Sequence, residues 1–368
     1  MKRTKIAIIG IGDISHTYLP NLTGIFKEIE VIGVCDLIRE RAEWAVREFG
    51  IPKLYEEMHE AFADEEVEII LNLTRPDEHY DVTKGALLAG KHVYSEKPLA
   101  ATLEKGAELV ALAEEKGLYL GGAPDTFLGG AIQTARKLID EGAIGEIVSA
   151  AGFMKCRGHE TWHPDPEFYY KRGGGPMLDM GPYYVTAFAN MLGSAVRVTS
   201  MTRNTFPERT ITSKPKYGQV INPTVPTHVA GLIEYESGAI ATLLTSFDIY
   251  PMGSNNFMEV YGTKGSMIVP DPNNFGNPVK ILRPNGEWEE IEPVFDYTTN
   301  DRGLGLCDMA NAIRDSRRAR CDYGLTYHVL EVMMGLTTAG DLGHHVEIKS
   351  RYDRTAPMCV GLPRGILD

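Results

Sequence analysis

An α/β fold is expected for this chain of 368 residues: a doubly wound parallel sheet first, then a second domain built on an antiparallel sheet. Three observations carry the expectation. Up to about residue 121 short apolar runs alternate with stretches of helical periodicity, and the first of those runs ends in a glycine turn. Beyond about residue 195 the apolar runs are joined by short turns instead of helices. The length suits two domains, placed at residues 1–124 and 125–368.

Composition narrows the partners. Apolar content of 43% and charged content of 24% are ordinary for a globular protein. A net charge of −13 argues against nucleic acid or an anionic membrane, so a small neutral substrate fits better. The five cysteines, Cys35, Cys156, Cys307, Cys321 and Cys359, are widely spaced and odd in number, which suggests neither a disulfide framework nor a zinc module. A reducing cytoplasm is the simplest setting. Met1-Lys2-Arg3 leads directly into an apolar strand, which is no signal peptide, and no apolar run reaches the ~18 residues of a membrane span.

The run from Lys5 to Ile9, the segment Gly10-Ile11-Gly12-Asp13-Ile14-Ser15 and a helical stretch to about Lys27 read as strand, glycine turn and helix. Glycines at 10 and 12 permit a tight turn and let a pyrophosphate approach bare backbone at a helix N-terminus. Ser15 stands at the third fingerprint position, small enough to preserve packing and able to cap the helix. A second strand, Val31 to Cys35, ends in Asp36, 24 residues after Gly12, close to the spacing of an acid that binds ribose hydroxyls. Such an acid repels a 2′-phosphate and favours NAD over NADP, with Arg39 and Arg41 as the counterweight.

The alternation continues through a strand Ile69–Leu73, a helix Asp77–Ala89, a strand His92–Ser95, a helix Thr102–Lys116 and a strand Leu118–Gly121. The loop from Asn72 through Thr74 and Pro76 to His79 precedes a helix and could touch the nicotinamide half of a dinucleotide. Pro98 lacks the donor to continue a ladder, so Glu96 and Lys97 should sit at the strand's C-terminal mouth, where open parallel sheets bind ligands.

The combination of Gly10-Ile11-Gly12, Asp36, Thr74 with His79 five residues later, and Ala89-Gly90-Lys91-His92-Val93 leading into Glu96-Lys97-Pro98-Leu99-Ala100 resembles the glucose-fructose oxidoreductase, inositol dehydrogenase and rhizopine-catabolism (Gfo/Idh/MocA) family. The resemblance implies an N-terminal Rossmann domain and a C-terminal α+β domain with a large, open, mostly antiparallel sheet. It implies an NAD-dependent oxidoreductase acting on a sugar, glycoside or cyclitol, a homo-oligomer formed through the C-terminal sheet, and Lys97 as the catalytic lysine. Gly10, Ile11, Gly12, Asp13, Ile14, Asp36, Thr74, Pro76, His79, Glu96 and Lys97 would hold the cofactor.

In the second half, Pro124-Asp125-Thr126-Phe127 reads as the crossover and a substrate-pocket wall, so Asp125 joins the candidate substrate contacts. Helix Ala131–Asp140 and strand Glu146–Met154 follow. The stretch from Arg157 to Tyr170 is polar and aromatic, and Trp162 and His163 suit a sugar, which binds through hydrogen bonds and flat rings. His159 and His163 are four apart, but Gly158 and Pro164 oppose the helix a metal pair would need, and no metal is expected. Gly173-Gly174-Gly175-Pro176 opens a helical run in which Asp179 and Tyr183 would share one face. This resembles the family's substrate-lining G-G-x-x-x-D-x-G-x-H segment, with Tyr183 at the histidine position as in members like glucose-fructose oxidoreductase and dihydrodiol dehydrogenase. Tyr183, with its pKa lowered by Lys97, and Asp179 are the candidate bases, His163 next.

Strand-like runs from Val196 to Val269, joined at Ser237-Gly238 and Thr263-Lys264-Gly265, indicate hairpins. The Pro-rich piece from Pro207 to Pro226 reads as a long arm, and helices at about Arg302–Arg317 and Thr326–Ala339 close the chain before an irregular tail. Three rival activities share the same residues: a donor-acceptor sugar oxidoreductase with tightly bound cofactor, an NAD-dependent glycosidase, and a non-catalytic cofactor or sugar sensor.

Overall fold

The computed structural model describes residues 3–251 and 257–368, so Met1 and Lys2 of the N-terminal reading lie outside the described residues. Two compact units form. The first comprises Met1–Gly130, Val294–Tyr327 and Thr355–Asp368; the second comprises Ala131–Pro293 and His328–Arg354. A single boundary after residue 124 therefore does not divide the chain. The physical reason is that a late segment docks on the first sheet: Gly122 N donates to Cys321 O at 3.0 Å, and a Cβ on Gly121 would meet that same carbonyl at 2.2 Å.

The first unit carries β1 (Thr4–Ile9), α1 (Ser15–Gly24), β2 (Ile29–Cys35), α2 (Arg39–Phe49), β3 (Lys53–Leu54), α3 (Met58–Ala63), β4 (Ile69–Asn72), α4 (His79–Leu88), β5 (His92–Ser95), α5 (Leu103–Lys116) and β6 (Leu120–Gly122). Its six strands run in the order β3-β2-β1-β4-β5-β6 and pair in parallel throughout. This is the doubly wound order, whose direction reverses between β1 and β4. Ile6, Ala7 and Ile8 of β1 are wholly buried, as expected for a central strand covered on both faces. Helix α5 has the ends its sequence predicts. Thr102 accepts from Lys105 N at 3.3 Å, and Gly117 closes the helix in the left-handed region at φ 64°.

The second unit contains β7 (Ile147–Lys155), α7 (Gly175–Asp179), α8 (Gly181–Leu192), β8 (Ala195–Arg203), β9 (Arg209–Thr210), β10 (Val220–Ile221), β11 (His228–Tyr235), β12 (Ile240–Ser246), β13 (Phe257–Gly262), β14 (Gly265–Val269), β15 (Val279–Leu282), β16 (Trp288–Ile291) and β17 (Val346–Glu347). Helix α6 (Gly130–Asp140) precedes β7, α9 (Leu304–Asp315) belongs to the first unit, and α10 spans Tyr323–Leu342. Nine of the strands form one sheet, β16-β15-β14-β13-β7-β12-β11-β8-β17, in which only β7 and β12 pair in parallel. Gly152 on β7 admits Tyr184 and Phe188 of α8, and Gly231 on β11 admits Leu336 of α10, so these helices cover one face of the sheet. Among the described residues no helix is long and apolar enough to cross a membrane.

Two local expectations change. Ser15 does not cap α1; its hydroxyl donates back to Gly12 O at 2.6 Å and so closes the glycine turn. The run holding Asp179 and Tyr183 is two helices, with α7 ending at Asp179 and α8 starting at Gly181. Pro182 has no N–H to donate to the carbonyl four residues back, and the break falls just before it.

Candidate active site

Around Lys97 the first unit is built from backbone contacts that each require a particular residue. Gly10 has φ 96°, and a Cβ there would lie 2.8 Å from the Leu73 carbonyl and Thr74 N, so the glycine turn passes directly against the loop after β4. His79 is buried. Its Nδ1 lies 2.8 Å from Pro98 O and its Nε2 2.9 Å from Thr74 O, so one imidazole links that loop to the segment holding Lys97. Burial holds its pKa below the usual histidine value, and the two carbonyls act in the opposite direction.

Glu96 is also buried. It accepts from Tyr18 OH of α1 at 2.8 Å through one oxygen and from Lys97 N at 3.0 Å through the other. Burial, then the neighbouring Glu96 charge, raises the Tyr18 pKa well above normal, which keeps that hydroxyl a donor. Lys97 itself is half-buried. The expected cofactor residues His79 and Glu96 thus face protein partners, and their evident effect is to hold the backbone on either side of the lysine.

Asp36 is tied to the same turn. Its carboxylate accepts from Ile11 N at 2.6 Å and Ile38 N at 2.7 Å, which orients it while leaving lone pairs for further donors. An open cleft of about 280 Å³ adjoins it, lined by Ile11, Gly12, Asp13, His16, Glu40, Arg41 and Trp44. Nothing lies within 4 Å of where a Cβ on Gly12 would sit, so bare backbone faces open space as a pyrophosphate requires. These residues fit a dinucleotide. Arg39 is engaged elsewhere, with Glu43 at 2.8 Å and Glu56 at 2.5 Å, whereas Arg41 lines the cleft beside Glu40.

Asp125 has a different role from the one expected. It is buried, and Oδ2 accepts from Gly303 N at 2.8 Å and Gly305 N at 3.1 Å, so it secures the start of α9. Burial pushes its pKa up to about 6, with the two N–H donors acting against that rise.

In the second unit Asp179 is half-buried and Tyr183 buried. The glycines before them accommodate protein. A Cβ on Gly174 would meet Phe168 O at 2.4 Å, and one on Gly175 would meet Pro226 O at 3.1 Å. Trp162 is 60% exposed and available for stacking, whereas His163 is buried with its Nδ1 accepting from Asp165 N at 3.0 Å. Two pairings were not anticipated here. His159 Nε2 lies 3.4 Å from Asp179 Oδ2. Buried Arg209 reaches Glu160 at 2.8 Å and Phe247 O at 2.9 Å, pairs with Asp248, and lies over the Tyr170 ring. Neither pairing has a spacing signal in the sequence, because each joins segments that only the fold brings together. Among the described residues no three His, Cys, Asp or Glu side chains gather as a metal site would need.

A doubly wound sheet with a bare glycine turn and an oriented acid after β2 defines a dinucleotide-binding protein. Residues 4–122 match the family model described as "Oxidoreductase family, NAD-binding Rossmann fold", and residues 132–268 match the "GFO/IDH/MocA C-terminal domain". The chain belongs to the Gfo/Idh/MocA oxidoreductase family. It is similar to scyllo-inositol 2-dehydrogenase (NAD(+)) of Bacillus subtilis (strain 168), 26% identical over 320 residues, covering 86% of this chain and 87% of the relative. Trans-1,2-dihydrobenzene-1,2-diol dehydrogenase of Oryctolagus cuniculus is 27% identical over 316 residues, covering 84% and 89%. Among solved structures, levoglucosan dehydrogenase in complex with NADH and L-sorbose shares the fold at TM-score 0.83 and 18% identity, covering 95% of this chain and all of the other.

Proposed function

We propose that this protein is an NAD-dependent oxidoreductase that moves hydride between a secondary alcohol of a sugar, glycoside or cyclitol and nicotinamide. The observation that supports it most is the construction around half-buried Lys97 at the mouth of β5, where Glu96, held by Tyr18, accepts from Lys97 N and buried His79 binds the carbonyl of the next residue, Pro98. Oxidising a secondary alcohol requires the hydroxyl proton to leave as hydride leaves the same carbon. Nicotinamide, when bound, supplies the hydride acceptor. The Lys97 ammonium donates a hydrogen bond to the hydroxyl oxygen and steadies the negative charge that develops on it. Asp179 accepts the proton. Tyr183, buried one helical turn beyond Asp179, is the further substrate-binding candidate. Trp162 and His163 offer flat faces to the ring of the substrate. Asp36, oriented at the glycine turn by Ile11 N, favours NAD over NADP, and Glu40 lies beside the Arg41 that would otherwise draw a 2′-phosphate into the cleft.

The test is to look for nicotinamide in the purified protein, then follow the absorbance of reduced nicotinamide as sugars, glycosides and cyclitols are added. Lys97→Ala, and more so Lys97→Met, is expected to lose on the order of 10²-fold or more in kcat while NAD still binds. Undiminished turnover in these variants would overturn the assignment.

A further inference from the structure

His159 has a chemical environment that packing alone does not account for. Its ring is enclosed by Tyr169, Phe247 and Trp162, with centroids 4.0, 4.6 and 5.4 Å away. Both ring nitrogens are buried, and neither has a hydrogen-bond partner among the described residues. A buried imidazole in an aromatic box would normally be replaceable by a phenyl ring, which carries no polar atom to leave unsatisfied. What distinguishes this one is its aim: Nε2 points at Asp179 Oδ2 from 3.4 Å, within ion-pair range but without hydrogen-bond alignment.

The surrounding structure fixes that aim from behind. His159 N donates to Tyr170 OH at 3.0 Å, and the same hydroxyl donates to Glu160, the next residue in the chain. Glu160 is in turn paired with buried Arg209 at 2.8 Å. The backbone at 159 and 160 is therefore clamped, the ring is caged, and little freedom remains except a small approach towards Asp179. Catalytic hydrogen bonds are often long or poorly aligned before substrate binds and tighten when it does.

We propose that His159 is the positioning residue for Asp179. Its Nε2–H donates to Oδ2, which fixes the carboxylate plane in which the proton is accepted. The assignment rests on the reading of Asp179 as proton acceptor in the hydride transfer proposed above. The proton passes from the alcohol oxygen to Asp179, the hydride goes to nicotinamide C4, and the carbon–oxygen bond becomes a carbonyl. His159 gains and loses nothing in that step.

The test compares His159→Phe with His159→Gln, since packing and hydrogen bonding predict opposite orders. Phenyl preserves the aromatic box and deletes the donor; glutamine disrupts the box and restores an N–H near the Nε2 position. The expected result is a loss of kcat on the order of 10²-fold in His159→Phe, with NAD affinity retained, and recovery of about tenfold or more in His159→Gln. A double-mutant cycle supplies the second measurement: with Asp179→Asn already present, His159→Phe should cost little further, because His159 acts only through Asp179. Phe equal to or better than Gln, or additive losses in the cycle, overturns the proposal alone. If none of the sugars, glycosides and cyclitols supports NAD reduction by the wild-type protein, the hydride-transfer reading falls and this assignment falls with it.

Discussion

Asp125 carries a pH dependence that follows from its position. Burial raises its pKa to about 6, whereas an aspartate in an unfolded chain ionises near about 3.9. Because the native value is the higher, the folded state binds more protons than the unfolded state between the two. Its contribution to stability is therefore complete below about pH 4 and lost as pH rises through about 6, by an amount on the order of 3 kcal/mol. Asp125→Asn cannot ionise and keeps one oxygen for the N–H groups of Gly303 and Gly305. Urea midpoints measured from about pH 4 to about pH 7 should fall less steeply in the variant than in the wild type. Parallel profiles would show that Asp125 does not ionise in that window. The same residue marks a limit of sequence reading. The place of Lys97 just past β5 was legible because Pro98 ends its strand locally, but the anchoring partners of Asp125 lie 178 and 180 positions further along the chain.

Elements with a periodic signature were legible, including five of the six parallel strands, the caps of α5 and the hairpins of the second sheet; the two-residue β3 was too short to leave a pattern. Elements defined by distant contacts were not. The piece from Pro207 to Pro226, expected as an arm, carries the short β9–β10 pair, and it docks through Arg209. Lys216 pairs with Asp165 and Glu167 at its outer end, and Ser213 donates to His163 O at 2.5 Å. Those surface pairs are half-exposed and contribute little. Arg209 is different, because its removal takes the buried cation from Asp248 and leaves Glu160 with Arg157 alone, at 3.4 Å. Arg209→Ala should cost about 3–5 kcal/mol in denaturant unfolding and open the arm to trypsin at Lys216. A loss below about 1 kcal/mol would show that other contacts hold the arm.

At the scale of the whole molecule, the helices packed on the second sheet among the described residues lie on one of its faces. Helices α8 and α10 lie on the side of Gly152 and Gly231; their neighbours Phe153 and Leu232 point to the other. On that other side the ladder aligns Ile240, Ser149, Tyr261, Ser266, Leu282 and Trp288 in one cross-strand row, and Met201, Ala230, Leu244, Phe153 and Phe257 in another. Met201 is 82% exposed, Trp288 56% and Ile240 47%. Contiguous apolar rows of this kind on a sheet commonly mark an association surface. A second copy of the chain is the occupant we propose, since a sheet face can meet itself about a two-fold axis and bury both rows at once. Light scattering behind size exclusion should then report at least a dimer. Met201→Lys with Ile240→Lys would place like charges opposite one another across such an axis and shift the species to monomer without unfolding it. A wild-type protein that remains monomeric at tens of micromolar would rule out this use of the sheet.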